Sequence, residues 1–212
     1  MKPLLTFLCL LTLSASAAAP AVIAMRVPNG GIQPQLAIDS KGALHLIYFK
    51  NDAGRGDIFY ISSTDGGSTF SEPIRVNSQP ASAIAAGTVR GPQIAIGQSD
   101  RPHIIWMGSA EATPRAPGEK ASAPLLYARL NEARKAFEPQ RNLIVTNAGL
   151  DGGLSVAADP QSAYVYAVWH APQKGTEGEG SRKVWVSVST DDGKTFAPET
   201  AANPDPTGLC GC

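Results

Sequence analysis

Cysteine is nearly missing from this 212-residue chain, which excludes a scaffold held together by internal disulfides. Three occur: Cys9 in an apolar run near the start, and Cys210 and Cys212 in the last three residues. Cysteines one residue apart make only a strained bridge with each other. Cys210 and Cys212 are therefore expected to pair with cysteines elsewhere; a metal site is the lesser alternative, and none is assigned. Surplus charge is missing too. Eighteen Lys plus Arg face eighteen Asp plus Glu, which suggests neither nucleic acid nor an anionic membrane surface as a partner. Beyond the first residues no apolar stretch approaches the roughly 20 residues of a membrane-spanning helix. No segment sustains a helical period, and no cofactor motif stands out.

The first residues read as a targeting signal. Lys2 precedes an apolar run from Leu4 to Leu13, and Ala15-Ser16-Ala17 is a small-x-small cleavage site. Residues 1–17 are assigned to the signal and 18–31 to an N-terminal segment, so the chain is expected to be secreted or periplasmic. Cys9 lies within the run with no small residues before it, so it leaves with the signal rather than carrying a lipid. The remainder combines 21 Gly and 17 Pro over the whole chain with short runs of Val, Ile and Tyr. That is an all-β composition with many turns.

Those strands repeat. Ser63-Thr64-Asp65-Gly66-Gly67-Ser68-Thr69-Phe70 recurs as Ser189-Thr190-Asp191-Asp192-Gly193-Lys194-Thr195-Phe196, both reading S-x-D-x-G-x-T-F. The offset, 189 − 63 = 126 residues, is two units of about sixty. Asn131 to Phe137 is a degraded third copy between them. Pro34 to Asp39, Pro92 to Gly97 and Leu154 to Asp159 align as first strands. Leu44 to Tyr48, Pro102 to Trp106 and Val165 to Trp169 align as second strands. Asp57 to Ser62, Leu125 to Leu130 and Lys183 to Val188 align as third strands. Each unit is strand, turn, strand, loop, strand, turn, short strand. Ala110–Ala123 and Gln173–Ser181 read as inserted loops. One such meander cannot bury both faces alone, whereas units stacked side by side can.

In the repeated octapeptide the Asp carboxylate can accept backbone N–H groups across a tight turn, the Gly permits a positive φ, and the aromatic packs between strands. The loop lacks the ligand series of an EF-hand. The pattern resembles the BNR or Asp-box repeat of the sialidase superfamily. Ser63, Asp65, Gly67, Thr69 and Phe70 match one box, and Ser189, Asp191, Gly193, Thr195 and Phe196 match the other. The resemblance implies an all-β, sialidase-like β-propeller, with about three four-stranded blades of an expected six. Residues 32–212 form this region, with blades at about 32–78, 88–146 and 150–203 and the start of a fourth at 204–212. Three blades do not close a ring, so remaining blades or a second chain are expected to complete it.

The resemblance also implies a ligand site over the central channel, where loops lead into first strands and link second to third strands. Arg90 stands just before the first strand of the second unit, where a guanidinium could clamp a sugar carboxylate in a planar, bidentate pair. The family places such an arginine in the first unit; here that position reads Ile32-Gln33-Pro34. Asp52, eleven residues before Ser63, occupies the loop that supplies a sialidase acid/base. A plain turn aspartate is the alternative. Asp151 stands before the third unit's first strand and either faces the channel or shapes a glycine-rich turn. Gln33, Lys50 and His170 are further substrate-binding candidates. His45, His103 and Tyr166 match one another by position, as do Tyr48, Trp106 and Trp169, which reads as repeat architecture and blade packing. The activity implied is an exo-sialidase-like hydrolysis of a terminal acidic sugar, with a glycan or small molecule as partner and no cofactor. The alternative is a non-catalytic propeller that binds glycan or another envelope component.

Overall fold

In the computed structural model, residues 22, 24–85, 91–116, 123–147, 150, 153–176 and 178–203 are described. The signal, the start of the expected fourth unit, Cys210 and Cys212, Arg90 and Asp151 lie outside the described residues. The described chain forms three four-stranded antiparallel sheets, in the orders β1-β2-β3-β4, β5-β6-β7-β8 and β9-β10-β11-β12. Blade 1 holds β1 (Ile32–Ile38), β2 (Leu44–Asp52), β3 (Arg55–Ser63) and β4 (Ile74–Arg75). Blade 2 holds β5 (Gln93–Gly97), β6 (Arg101–Met107), β7 (Leu125–Arg129) and β8 (Arg141–Asn142). Blade 3 holds β9 (Leu154–Ala158), β10 (Val165–Pro172), β11 (Arg182–Ser189) and β12 (Thr200–Ala201). The innermost strands β1, β5 and β9 lie beside one another in succession. No sheet closes on itself among the described residues, and the fold is an open arc of β-propeller blades. No described helix is long and apolar enough to cross a membrane.

Side-chain alternation along a strand explains why these blades need neighbours. In β6, Ile104 and Trp106 pack toward Ile47, Phe49 and Ile58 of blade 1. Their alternates Ile105 and Met107 pack toward Leu154, Val165 and Trp169 of blade 3. β7 divides likewise, with Leu126 and Ala128 toward blade 1 and Leu125 and Tyr127 toward blade 3. Both strands of the middle blade are consequently buried along their whole length. β10 instead alternates buried with exposed or half-buried positions over its first residues. Trp106 and Trp169 are fully buried on the side facing the preceding blade. Tyr48, at the matching position of blade 1, is covered by Val27 and by Asn29, whose Nδ2 donates to the Tyr48 hydroxyl.

Strand ends differ from expectation in one instructive place. The segment Lys50 to Arg55, expected to be a loop, is mostly strand. A two-residue turn at Ala53 and Gly54 lets pairing continue to Asp52↔Arg55, lengthening β2 and β3. β10 likewise runs on through His170 to Pro172. The two inserted loops fall where expected, between β6 and β7 and between β10 and β11.

Candidate functional site

The blades have two ends. At one end lie the starts of β1, β5 and β9 and the turns joining second to third strands; at the other lie the S-x-D-x-G-x-T-F turns. Gln33 is held at the first end by a β-bulge: the β1–β2 register shifts between Ile32 and Gln35, and Gln33 takes φ 48. A non-glycine residue in the left-handed region is unusual, and bulges re-aim side chains. Here the bulge sends the Gln33 Nε2 to the Ala85 carbonyl at 3.1 Å. Gly91 packs so closely on the Gln33 side chain that a Cβ there would lie 2.9 Å from Oε1. The Ala85 N–H donates to the Ala53 carbonyl at 2.8 Å, and Ala83 exchanges backbone bonds with Gly56. Gln33, Ala85 and the Asp52 turn thus form one continuous rim.

The other candidates are placed as follows. Asp52 is exposed, and its Oδ1 accepts the Gly54 N–H at 2.8 Å, so the carboxylate shapes its own turn. Lys50 lies on the face of β2 turned away from blade 2, in a cleft of about 270 Å3 with Asn29, Tyr48 and Phe59. His170 is buried at the start of blade 3, its ring against Gly153, where a Cβ would come within 2.5 Å. Gly91 and Gly153 follow Arg90 and Asp151 by one and two residues, but Arg90 and Asp151 themselves lie outside the described residues.

At the opposite end the two octapeptides adopt matching geometry. Asp65 Oδ1 accepts the Thr69 N–H at 2.9 Å and Oδ2 the Thr69 hydroxyl at 2.7 Å; for Asp191 and Thr195 the values are 2.8 and 2.6 Å. Ser63 and Ser189 hydroxyls each donate to the Asp at 2.7 Å and accept the Gly67 or Gly193 N–H. The Thr69 hydroxyl and amide hold Asp65 down to about 2. For Asp191 burial acts upward, but the Thr195 and Ser189 bonds outweigh it and also hold it at about 2. The degraded copy is built differently. Asn131 Oδ1 accepts the Lys135 N–H, and Phe137 follows Asn131 by six residues where Phe70 follows Asp65 by five. Phe137 then meets Tyr60 edge-on, as Phe196 meets Tyr127.

The turns of blades 2 and 3 each rest on a histidine–tyrosine pair of the preceding blade. In blade 2, His103 Nδ1 lies 2.8 Å from the Tyr127 hydroxyl. Asp192, from the Ser189–Phe196 turn, brings its carboxylate 3.3 Å from His103 Nε2, 2.7 Å from Arg101 Nε and 3.1 Å from Arg129. Burial acts to raise Asp192, yet His103, Arg101 and Arg129 hold it below the ordinary carboxylate range. Arg129 also binds Glu138 through two parallel bonds of 2.9 and 2.7 Å. In blade 1, His45 Nδ1 lies 2.6 Å from the Tyr60 hydroxyl, and His45 Nε2 lies 3.2 Å from Asp39, from its own β1–β2 turn. An open cleft of about 480 Å3 lies over this pair.

Sequence reasoning did not find the residues that pin each blade's outer edge and join it to the preceding linker. Asn77 and Asn203, separated by the same 126 residues as the octapeptides, each accept a third-strand amide, from Ile58 at 2.9 Å and Val184 at 2.8 Å. Their common spacing after Phe70 and Phe196 was the available signal. Glu199 gathers the amides of Val145, Thr146 and Asn147 onto its carboxylate, and Gln140 reaches Gln79 and Ser82 in the matching place.

The class defined by these blades is a β-propeller fold. A Penicillium chrysogenum alpha-L-arabinanase complexed with arabinobiose matches with a TM-score of 0.51 at 12% identity, over 85% of this chain and 52% of that one. A Fusarium graminearum alpha-L-arabinofuranosidase matches with a TM-score of 0.51 at 12% identity, over 83% of this chain and 49% of that one. A Hadza microbial sialidase aligns at a TM-score of 0.49 and 14% identity, over 77% of this chain and 36% of that one. The chain spans about half the length of the first two structures and less of the sialidase. No family model and no curated protein matches the sequence.

Proposed function

We propose that this chain belongs to an exported, sialidase-like glycoside hydrolase acting on a terminal acidic sugar at the Gln33 rim. The Ser63–Phe70 and Ser189–Phe196 turns are its Asp boxes, away from the chemistry. The carrying observation is the left-handed bulge at Gln33, which joins the start of β1 to the Asp52 turn and is packed by Gly91, the residue after Arg90 in sequence. In this reading Arg90 pairs with the sugar carboxylate. Asp52 serves as the acid/base, and Asp151, at the strand entry of the third unit, is a further catalytic candidate facing the channel. Gln33, Lys50 and His170 supply polar contacts around them. The apolar run and small-x-small site at the start support export.

The test is turnover of fluorogenic sialosides and arabinosides by the purified protein and by Asp52→Asn. Sialoside turnover lowered on the order of 100-fold by the substitution supports the assignment; unchanged turnover, or turnover of arabinosides alone, overturns it. One observation favours a second reading, a propeller that binds glycan without cleaving it: the Asp52 carboxylate is engaged by its own turn at Gly54. Retention on a glycan array with no hydrolysis would support that reading.

A further inference from the structure

The cleft over His45 and Tyr60 exists because two large side chains of blade 2 are small in blade 1. Arg101 precedes His103 by two residues and Arg129 pairs with it across the β6–β7 ladder. At the matching places around His45 stand Ala43 and Ser62. Across the interface, the six-residue spacing from Asn131 to Phe137 replaces the turn that carries Asp192. What fills the space in one interface, two guanidinium groups and a carboxylate, is replaced in the other by a cavity of about 480 Å3. That lies within the roughly 300–1,000 Å3 of small-molecule sites.

The chemistry of the walls defines an occupant. Asp39 already accepts the Lys41 and Ala43 amides and faces His45 Nε2, so its oxygens are committed to the protein. With the Nε2 proton directed at Asp39, Nδ1 accepts from the Tyr60 hydroxyl and the pair is internally satisfied. The floor is completed by apolar Leu130 and Ile74. The rim carries Thr64, Glu72, Arg134 and Lys135, all exposed. Asp39 and Glu72 balance Arg134 and Lys135, so the cleft has no net charge to attract an anion or a cation. An apolar floor beneath a balanced ring of donors and acceptors suits a sugar ring, whose face is rich in C–H and whose edge hydroxyls both donate and accept.

We infer that this cleft is a second site, at the opposite end of the blades from the Gln33 rim, which binds a neutral saccharide. The inference does not depend on the activity proposed above. Backbone amide NMR shifts would be followed while the purified protein is titrated with lactose, maltose, cellobiose and arabinobiose at millimolar concentrations. Saturable shifts at Ser62, Thr64 and Lys135 are expected for at least one sugar, unchanged in Asp52→Asn. Ser62→Arg, which restores the side chain found at the blade 2 position, should weaken that binding at least tenfold. Lys135→Ala, on the exposed rim, should weaken it several-fold without altering the fold. Absence of saturable shifts with all four sugars overturns the inference. So does binding unaffected by both substitutions, or binding lost in Asp52→Asn.

Discussion

Two interfaces join the three blades, and both are laid over a stacked histidine–tyrosine pair. His45–Tyr60 and His103–Tyr127 have ring centroids 5.8 and 6.1 Å apart with nearly equal tilts. Besides the change from Arg101 and Arg129 to Ala43 and Ser62, the difference lies in the turn that the next blade lays over each pair. Over His103–Tyr127 that turn is Ser189–Phe196, with Asp192 left-handed at φ 62; over His45–Tyr60 it is the degraded Asn131–Phe137 turn, whose left-handed residue is Arg134 at φ 55. Aspartate tolerates that conformation better than most residues. In return its carboxylate lies among Arg101, Arg129 and His103. The interface between blades 2 and 3 is therefore filled by a buried ionic cluster; that between blades 1 and 2 is open over the pair, its charges set around the rim and in the Lys41–Asp100 ion pair. One repeat can thus keep its hydrophobic layers while changing what seals one end of a blade contact.

The largest expected effect comes from removing the centre of the ionic seal. Arg129→Ala strips Glu138 of its bidentate partner and leaves Asp192 with Arg101 alone. Breaking such a buried pair costs about 3–5 kcal/mol, read as a loss in chemical denaturation. Ser62→Ala, at the matching place of blade 1, should stay within about 0.5 kcal/mol of the parent. Equal losses from the two substitutions would erase the distinction between the interfaces. The next effect tests the clamps. Glu199 is buried and accepts three backbone amides and the Asn147 side chain. Hydrogen bonds to a charged group contribute about 1.5–3 kcal/mol. Glu199→Ala should therefore cost roughly 2–3 kcal/mol, more than Gln140→Ala at about 1 kcal/mol.

A smaller effect separates the two octapeptides. Asp191→Ala should lower the thermal midpoint more than Asp65→Ala. The side-chain bonds lost are the same, but only the Asp191 turn carries an interface residue, Asp192, against the preceding blade. Both carboxylates titrate near 2 rather than at 3.8. Their contribution is complete above 3.8 and is lost as pH falls toward 2. Above pH 4 the midpoints of the two variants should thus differ through the interface alone. Indistinguishable midpoints there would mean that Asp192 adds nothing to the anchoring of its turn.

Much of this was readable beforehand, and the residues show why some was not. The strand–turn period rests on local chemistry: alternation in Ile104-Ile105-Trp106, glycine where φ is positive, and an aspartate four residues before a threonine amide. Each leaves a mark within a few positions. The blade seal leaves none, because Arg129 and Asp192 are 63 residues apart and neither is unusual among its neighbours. The bulge at Gln33 is invisible for a different reason: a glutamine does not announce a left-handed backbone, and the close approach of Gly91 appears only in the folded chain. The turn at Asp52 was placed correctly in order but read as a longer loop, since Ala-Gly between two polar residues does not show how far β2 and β3 go on pairing.

The finest contrast is in pH. His103 is held below its ordinary 6.5, first by burial and then by the charges of Arg101 and Arg129, against the pull of Asp192. A folded value below the unfolded one means that the unfolded chain takes up the proton first. The stabilisation from neutral His103 is therefore complete above 6.5 and is lost as pH falls through the folded value. Protonation there would set a new cation beside two arginines, so the first backbone amides to loosen should be those of the Ser189–Phe196 turn and the 145–147 segment. Amide protection, corrected for the intrinsic slowing of exchange toward acid pH, should fall between pH 7 and 5 at these positions before it does in blade 1. Removing the ring by His103→Gln should flatten that dependence, because the glutamine amide keeps the polarity and takes up no proton. If exchange in the two regions changed together, or the substitution left the pH profile unaltered, the ionic seal would not be what distinguishes the second interface from the first.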